Sequence, residues 1–459
     1  MSAGTKTGKI GLDLTQGSIY KGLVVFASPI ILAGLIQQLY SVVDLIVIGK
    51  FMGNEGTVGV STGGEICDMV TPIATAFATA GQIYIAQLIG ARERERVHNA
   101  MGTLLSLMAV MSAVFMVLTL IFHAQILHML NCPESALRQA VNYMLITAIG
   151  IPFIFGYNAV CGILRGMGES KAPMRFIIIA AVINIVLDLA FVILFHMEAA
   201  GTALATMLSQ LGSFAAAFVF MYKHKEEFDF EMSPAFFKMH KKDVKILCGL
   251  GIPQAIRSTL VRISMFWVNS SINSYGIIAS STNSIGNKIQ KFLDVFSSSV
   301  AQAAAAMIGQ NLGARKTDRA GKVVMATLGC TLCIASVITC IILIGPKFIF
   351  GIFTNDASVL DMGVLYLRIF IAHFFWSAVV SAFQAMVIGS GYASMNFAIG
   401  ILDGIVCKIG LSILFAYVMK LGVVGFFWGT AWSRAIPALI CIAYYASGKW
   451  KTRKLLTDH

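Results

Sequence analysis

Residues Phe176–His196 read FIIIAAVINIVLDLAFVILFH. An apolar run of this length crosses the hydrocarbon core of a bilayer as a helix rising about 1.5 Å per residue. The run carries one carboxylate, Asp188, with Asn184 one helical turn before it. Positions i and i+4 share a helix face, so both polar groups look the same way out of a segment of Ile, Val, Leu, Ala and Phe. An acid inside the hydrocarbon layer costs about 2.5–3.5 kcal/mol on insertion scales and is tolerated where it faces protein or water. It is therefore either a structural acid paired within a helix bundle or an ion or proton site.

The composition around this stretch is that of a membrane protein. Of 459 residues, 57% are hydrophobic and 12% charged, about half the charge of an average soluble domain. Forty-two glycines suit close helix packing in lipid. Nine cysteines lie mostly in apolar runs. Cys330 and Cys333 form a C-x-x-C inside such a run, with no second pair or His at ligand spacing, so no metal site is expected there. The first eighteen residues are polar and the first apolar segment is too long for the core of a cleaved signal; none is expected.

Apolar runs between short polar breaks predict twelve spans, near 18–49, 57–89, 98–122, 138–164, 173–196, 200–222, 244–273, 277–309, 320–345, 359–388, 395–419 and 423–447. Pro29 in the first and Pro253 in the seventh should weaken the helix locally. Lys and Arg gather on alternate breaks. One set holds Lys6, Lys9 and Lys21, then Arg92, Arg94 and Arg96, then Arg165, Lys171 and Arg175, and the linker lysines from Lys223 to Lys245. It continues with Arg315, Lys316, Arg319, Lys322, Lys449, Lys451, Arg453 and Lys454; the other breaks hold only Lys50, Arg138, Lys347 and Lys420. The bias puts both termini and the central linker in the cytoplasm of a multi-pass protein of the cell inner (plasma) membrane. It also accounts for the net charge of +12 without a nucleic-acid partner, for which stacking aromatics are absent.

The chain repeats itself. Gln87-Leu-Ile-Gly-Ala-Arg92 matches Gln310-Asn-Leu-Gly-Ala-Arg315 at an offset of 223. The same offset carries Gly166 and Gly168 onto Gly389 and Gly391, and 224 carries Pro29 onto Pro253. The fold class is thus an all-α integral membrane protein of twelve transmembrane helices in two pseudo-symmetric six-helix lobes, a parallel repeat. The divisions are 1–222 for the N-lobe, 223–243 for a cytoplasmic linker, 244–447 for the C-lobe and 448–459 for a cytoplasmic tail. In transporters such halves rock about a site between them.

The repeat separates scaffold from exception. Asp188 maps onto Leu411, Asn184 onto Cys407 and Asp44 onto Trp267, so these acids belong to the first half alone. At about 1.5 Å per residue, Asp188 lies about 12 Å, and Asp44 and Thr206 about 9 Å, below the outer ends of their spans. Groups at one depth can share a cavity. Two carboxylates buried together cannot both stay bare anions. The pair can hold a proton, or a cation such as Na⁺ with the Asn and Thr oxygens as further ligands.

At these residues the chain resembles the multidrug and toxic compound extrusion (MATE) transporters. The resemblance spans nearly the whole chain and rests on Ser28-Pro29, Gln38-Leu-Tyr40-x-x-x-Asp44 with Gly49, the paired Gly-Ala-Arg loop ends, Asn184-x-x-x-Asp188 and Gly201-x-Ala-x-Ala-Thr206. The Asn-x-x-x-Asp element is similar to the DinF-like branch. That likeness implies a cation or proton coupling site at Asp44, Asn184, Asp188 and Thr206, and a first helix that bends at Pro29. Another branch carries a glutamate in the seventh helix. The corresponding stretch here, Gly251 to Arg262, has no acid.

The resemblance implies a secondary active antiporter that exports small amphipathic organic compounds in exchange for H⁺ or Na⁺ by rocking-bundle alternating access. It would act as a monomer, without a cofactor beyond the coupling ion and without a resident metal other than Na⁺ at that site. Gln38, Tyr40, Arg257, Arg262 and Trp267 are the cavity or substrate candidates. Arg257 and Arg262 either snorkel, pair with acids, or line a cavity for anionic or zwitterionic substrates. Glu65 and Asp68 map at offset 223 onto Lys288 and Lys291, an i,i+3 pair on each side. They predict an outer gate of opposite charges, the alternative being pairing within each lobe, as of Lys291 with Asp294. His373, Arg368, Asp403 and Lys408 either pair locally or line the C-lobe, and structural roles are the expectation. A flippase or exporter of a lipid-linked or anionic metabolite is the rival reading. An enzyme would need a nucleophile–base pair or metal cluster at one depth, and no such grouping stands out.

Overall fold

The computed structural model describes residues 11–228, 233 and 235–458, apart from the side chains of Leu45 and Asn54. Lys6 and Lys9 of the charge argument, and parts of the linker and tail, lie outside the described residues. Among the described residues, twelve helices are long and apolar enough to cross a membrane. In chain order they are α1 Ile19–Phe51, α2 Glu55–Ala91, α3 Arg94–Met129, α4 Glu134–Gly166, α5 Lys171–Leu194 and α6 Glu198–Lys223. Then come α7 Lys241–Asn273, α8 Ile277–Gly313, α9 Thr317–Ile344, α10 Ala357–Gly389, α11 Ala393–Val418 and α12 Val423–Ala446. Helices are the natural outcome, since a chain in hydrocarbon must satisfy its backbone polar groups internally. Large apolar side chains such as Ile121, Leu194 and Ile344 stand exposed on their outer faces, as a bilayer allows.

Pro29 and Pro253 do not interrupt their helices: α1 and α7 run through them. The chain nevertheless changes unit beside each one. Among the described residues, one compact unit gathers those up to Asp13 and those of Ser28–Gly251; the other gathers Leu14–Ala27 and those from Ile252 onward. The crossings at 27/28 and 251/252 are 224 residues apart, so each proline is the second residue after a crossing.

The repeat is visible in the packing of each unit. A Cβ on Gly166 of α4 would stand 2.7 Å from the Gln82 carbonyl oxygen of α2, and one on Gly389 of α10 would stand 2.8 Å from that of Ala305 in α8. Both pairs obey the 223 offset. A carbonyl cannot swing aside as a side chain can, so Gly166→Leu should lower N-lobe stability by about 3 kcal/mol, read as a fall in thermal midpoint with Gly49→Ala, where a Cβ meets open space, as control. Loop backbones repeat as well. Arg92 and Arg315, which close the Gly-Ala-Arg motifs, are left-handed at φ 62° and 59°, and Gly168 and Gly391 at 86° and 72°.

The motif beyond α8 has a further task. The Gln310 Oε1 accepts from the Leu14 N–H at 3.2 Å, and the Asn311 Nδ2 donates to the Leu14 carbonyl at 3.0 Å. Lys316 and Arg319 donate to the Thr15 and Gln16 carbonyls. In the other unit the end of the linker lies along α3. Phe236 is buried, with His98 edge-on at 4.8 Å and its carbonyl seated where a Cβ on Gly102 would be. Ser106 and Thr103 bond the following backbone. A buried bond of 2.7 Å from the Tyr84 hydroxyl to the Asp243 carboxylate fixes the start of α7.

Candidate functional site

α5 is regular to Asp188 and then widens into a π turn, Leu189–Leu194. Such turns recur at functional sites because they re-aim side chains within a helix. Asp188 at the junction is 1% exposed and Asn184 3%. The Asp44 carboxylate of α1 lies close to that of Asp188. α6 brings Thr206 near the Tyr143 hydroxyl from α4, which is close to both acids.

The oxygens at the centre are poorly served. Both Asp188 carboxylate oxygens, Asp44 Oδ1 and Asn184 Oδ1 have no protein donor among the described residues. Neither acid forms an ion pair with a Lys, Arg or His there. Buried carboxylates ordinarily collect several donors or a cation. Acceptors without donors, converging from α1 and α5, are chemically suited to a shared proton between the acids. They equally suit a hard cation held by carboxylate and amide oxygens.

Tyr143 was not among the residues singled out from sequence. The available signal was the repeat: Tyr143 maps onto Tyr366, and each packs against a repeat-related glycine, Gly63 and Gly286. Tyr143→Phe removes one hydroxyl beside the acids and should weaken ion affinity about fivefold, the worth of one hydrogen bond of about 1 kcal/mol. The half-saturating ion concentration for transport checks this.

The other sequence candidates are spread out. Tyr40 lies within bonding reach of Gln37 and near Asp44 and Asp68, and Gln38 is partly buried on α1. Trp267 packs on the aromatic core of its own lobe, 6.0 Å from the Phe426 ring. Glu65, Asp68, Lys288, Lys291 and Arg262 are exposed. Arg257 neither snorkels nor meets an acid in contact: its guanidinium donates to Asn396 Oδ1 at 3.2 Å and Gln384 Oε1 at 3.3 Å.

Pairing of Lys291 with Asp294, weighed from their i,i+3 spacing, does not occur. Asp294 turns into the lobe, where His373 Nε2 lies 3.2 Å and Arg434 3.7 Å from its carboxylate. Ser377 donates to Asp294 at 3.3 Å and Gln290 Nε2 sits 3.1 Å from the His373 ring. Arg434 reaches this group from a break in α12, where two helical pieces meet at Ser433–Arg434. Arg368 is exposed and takes no part.

The MatE family profile matches residues 29–190 and 253–418, one stretch in each half, opening at Pro29 and at Pro253. This chain belongs to the MatE family. It is a multi-pass membrane transporter of the MATE multidrug-efflux family, not an enzyme. Among MatE relatives in Bacillus subtilis (strain 168), the "Probable multidrug resistance protein YpnP" is 27% identical over 97% of this chain and 99% of its own. The "Probable multidrug resistance protein YoeA" is 25% identical over 96% of each. In fold, the chain superposes with a TM-score of 0.90 on a multidrug resistance MATE family transporter in its outward-facing conformation. The two are 20% identical, with 96% of this chain and 99% of that one covered.

Proposed function

We propose that this MatE protein is a secondary antiporter of the cell inner membrane, with both termini cytoplasmic, which acts as a monomer. It exports small amphipathic organic compounds in exchange for H⁺ or Na⁺. The observation that carries the reading is the donor-poor pocket of Asp44, Asn184 and Asp188. Its electrostatic demand is for one more positive charge, which an entering proton or Na⁺ supplies. Binding there favours a rearrangement of α1 about Pro29 and expulsion of substrate; release of the ion after the lobes rock inward resets the cycle. Each step depends on the ion binding the two states with different affinity.

Substrate uptake into inverted vesicles, under a pH gradient and a Na⁺ gradient imposed separately, tests the reading. One of the two gradients should drive accumulation of a fluorescent organic cation. Accumulation indifferent to both would remove it. A second reading, export of an anionic or lipid-linked metabolite, draws support from Arg257, which is held inside the C-lobe by neutral amides alone. Competition by anionic amphiphiles in the same vesicles separates the two.

A further inference from the structure

The C-lobe has its own polar pocket, built close to the repeat positions that carry the acids in the N-lobe. It is lined by Asn269 of α7, Asn283 and Asn287 of α8, Lys408 of α11 and Thr430 of α12, against apolar walls that include Phe370 and Phe427. At offset 223, Asn269, Lys408 and Thr430 map onto Ile46, Ile185 and Met207. Those residues flank Asp44, Asn184 and Thr206. The corresponding three helices of the repeat therefore contribute to both sites, and the charge is reversed.

Local structure explains why a lysine is held there. α11 contains a π turn, Leu402–Cys407, immediately before Lys408. In an α-helix Asp403 and Lys408, five residues apart, would diverge by about 140°. A turn closing i to i+5 brings them closer to one face, and both are buried, at 7% and 8% exposure. Even so, no carboxylate touches the ammonium: among the described residues Lys408 has no ion pair or hydrogen bond, and Asp403 Oδ1 has no donor.

Charge arithmetic then gives the sign of the missing partner. Asp294 is matched by Arg434. Asp403 interacts electrostatically with two cations, Arg257 and Lys408, without contacting either. One positive charge is in excess in a medium where an unpaired charge is costly. The amides supply donors. Asn283 and Asn287 both donate to Asn269 Oδ1, at 2.8 and 3.1 Å, which leaves the Asn269 Nδ2 hydrogens uncommitted, and the Thr430 hydroxyl is likewise free to donate. The space suits a single water-sized occupant.

We propose that this pocket binds a small inorganic anion of halide size, held by Lys408 Nζ, Asn269 Nδ2 and the Thr430 hydroxyl. It is the opposite-charge counterpart of the acid pocket in the other half.

The test uses purified full-length protein in sodium gluconate, titrated with sodium chloride or bromide while unfolding is followed by tryptophan fluorescence. Chloride and bromide should raise the midpoint saturably, by about 2 °C at physiological concentration, and further gluconate should not. Lys408→Met should abolish the rise, and Asp188→Asn in the other lobe should keep it. Crystals grown in bromide provide a readout that needs no variant: an anomalous peak is expected between Lys408, Asn269 and Thr430. Bromide peaks only elsewhere, or a chloride response that survives Lys408→Met, would overturn the assignment.

Discussion

Replacing Asp188 by Asn should abolish gradient-driven efflux while leaving the protein folded and in the membrane. The amide keeps the shape of the carboxyl group but cannot exchange a proton at neutral pH or give a cation its charge. A coupling free energy near the upper end of the usual 1–3 kcal/mol would thereby be lost, a fall in coupled transport of about 100-fold. Stability should hold or rise, because the substitution replaces a carboxyl group whose two oxygens have no protein donor with an amide that can donate to Asp44. Efflux of a fluorescent substrate from loaded cells, normalised to membrane-inserted protein, is the readout. Wild-type gradient dependence in Asp188→Asn would refute the coupling role.

Arg434→Met should have the largest effect on stability. Arg434 reaches Asp294 and Ser377 from the break in α12, and the His373–Asp294 contact beside it is largely buried. Removing the guanidinium takes the permanent positive charge from a carboxylate among α8, α10 and α12 and leaves it with His373 and Ser377. Breaking a buried pair costs about 3–5 kcal/mol; with Asp294 about a fifth exposed, a loss of about 2–4 kcal/mol is expected. The sign should largely reverse in the double variant Arg434→Met with Asp294→Leu, which removes both charges together. Thermal unfolding of the purified variants checks both statements. An unchanged midpoint in Arg434→Met would show that the contact is not stabilising.

Some of this could be read before any coordinates were known. Apolar run lengths placed α5, α7, α11 and α12 within a few residues, because the bilayer fixes how long a helix must be. The 223-residue offset, found in Gly-Ala-Arg and paired glycines, reappears as matched close approaches and matched left-handed residues. Asp44, Asn184, Asp188 and Thr206 could be grouped because depth along a helix is a function of residue number alone.

What depends on the rotation of one helix against another was not legible. Lys291 and Asp294 share a spacing that permits pairing, yet Asp294 faces His373 and Arg434, 79 and 140 positions away in the chain. Periodicity could not reveal the π turn that brings Asp403 and Lys408 closer to one face either, since a π turn adds a residue without altering composition. Nor does a charged linker show in its pattern that Phe236 is buried along α3. Trp267 could have been a cavity residue or a core residue by sequence; its packing partners place it in the core of its lobe.

The most direct test of the account counts ions released when substrate binds. Purified protein in weak buffer, preloaded with ²²Na⁺, is mixed with saturating substrate while a pH indicator and bound radioactivity are followed together. The wild type should release a proton or a sodium ion. The double variant Asp44→Asn, Asp188→Asn should bind substrate and release neither. Undiminished release from the double variant would place the coupling ion elsewhere and contradict the assignment to the Asp44–Asp188 pocket.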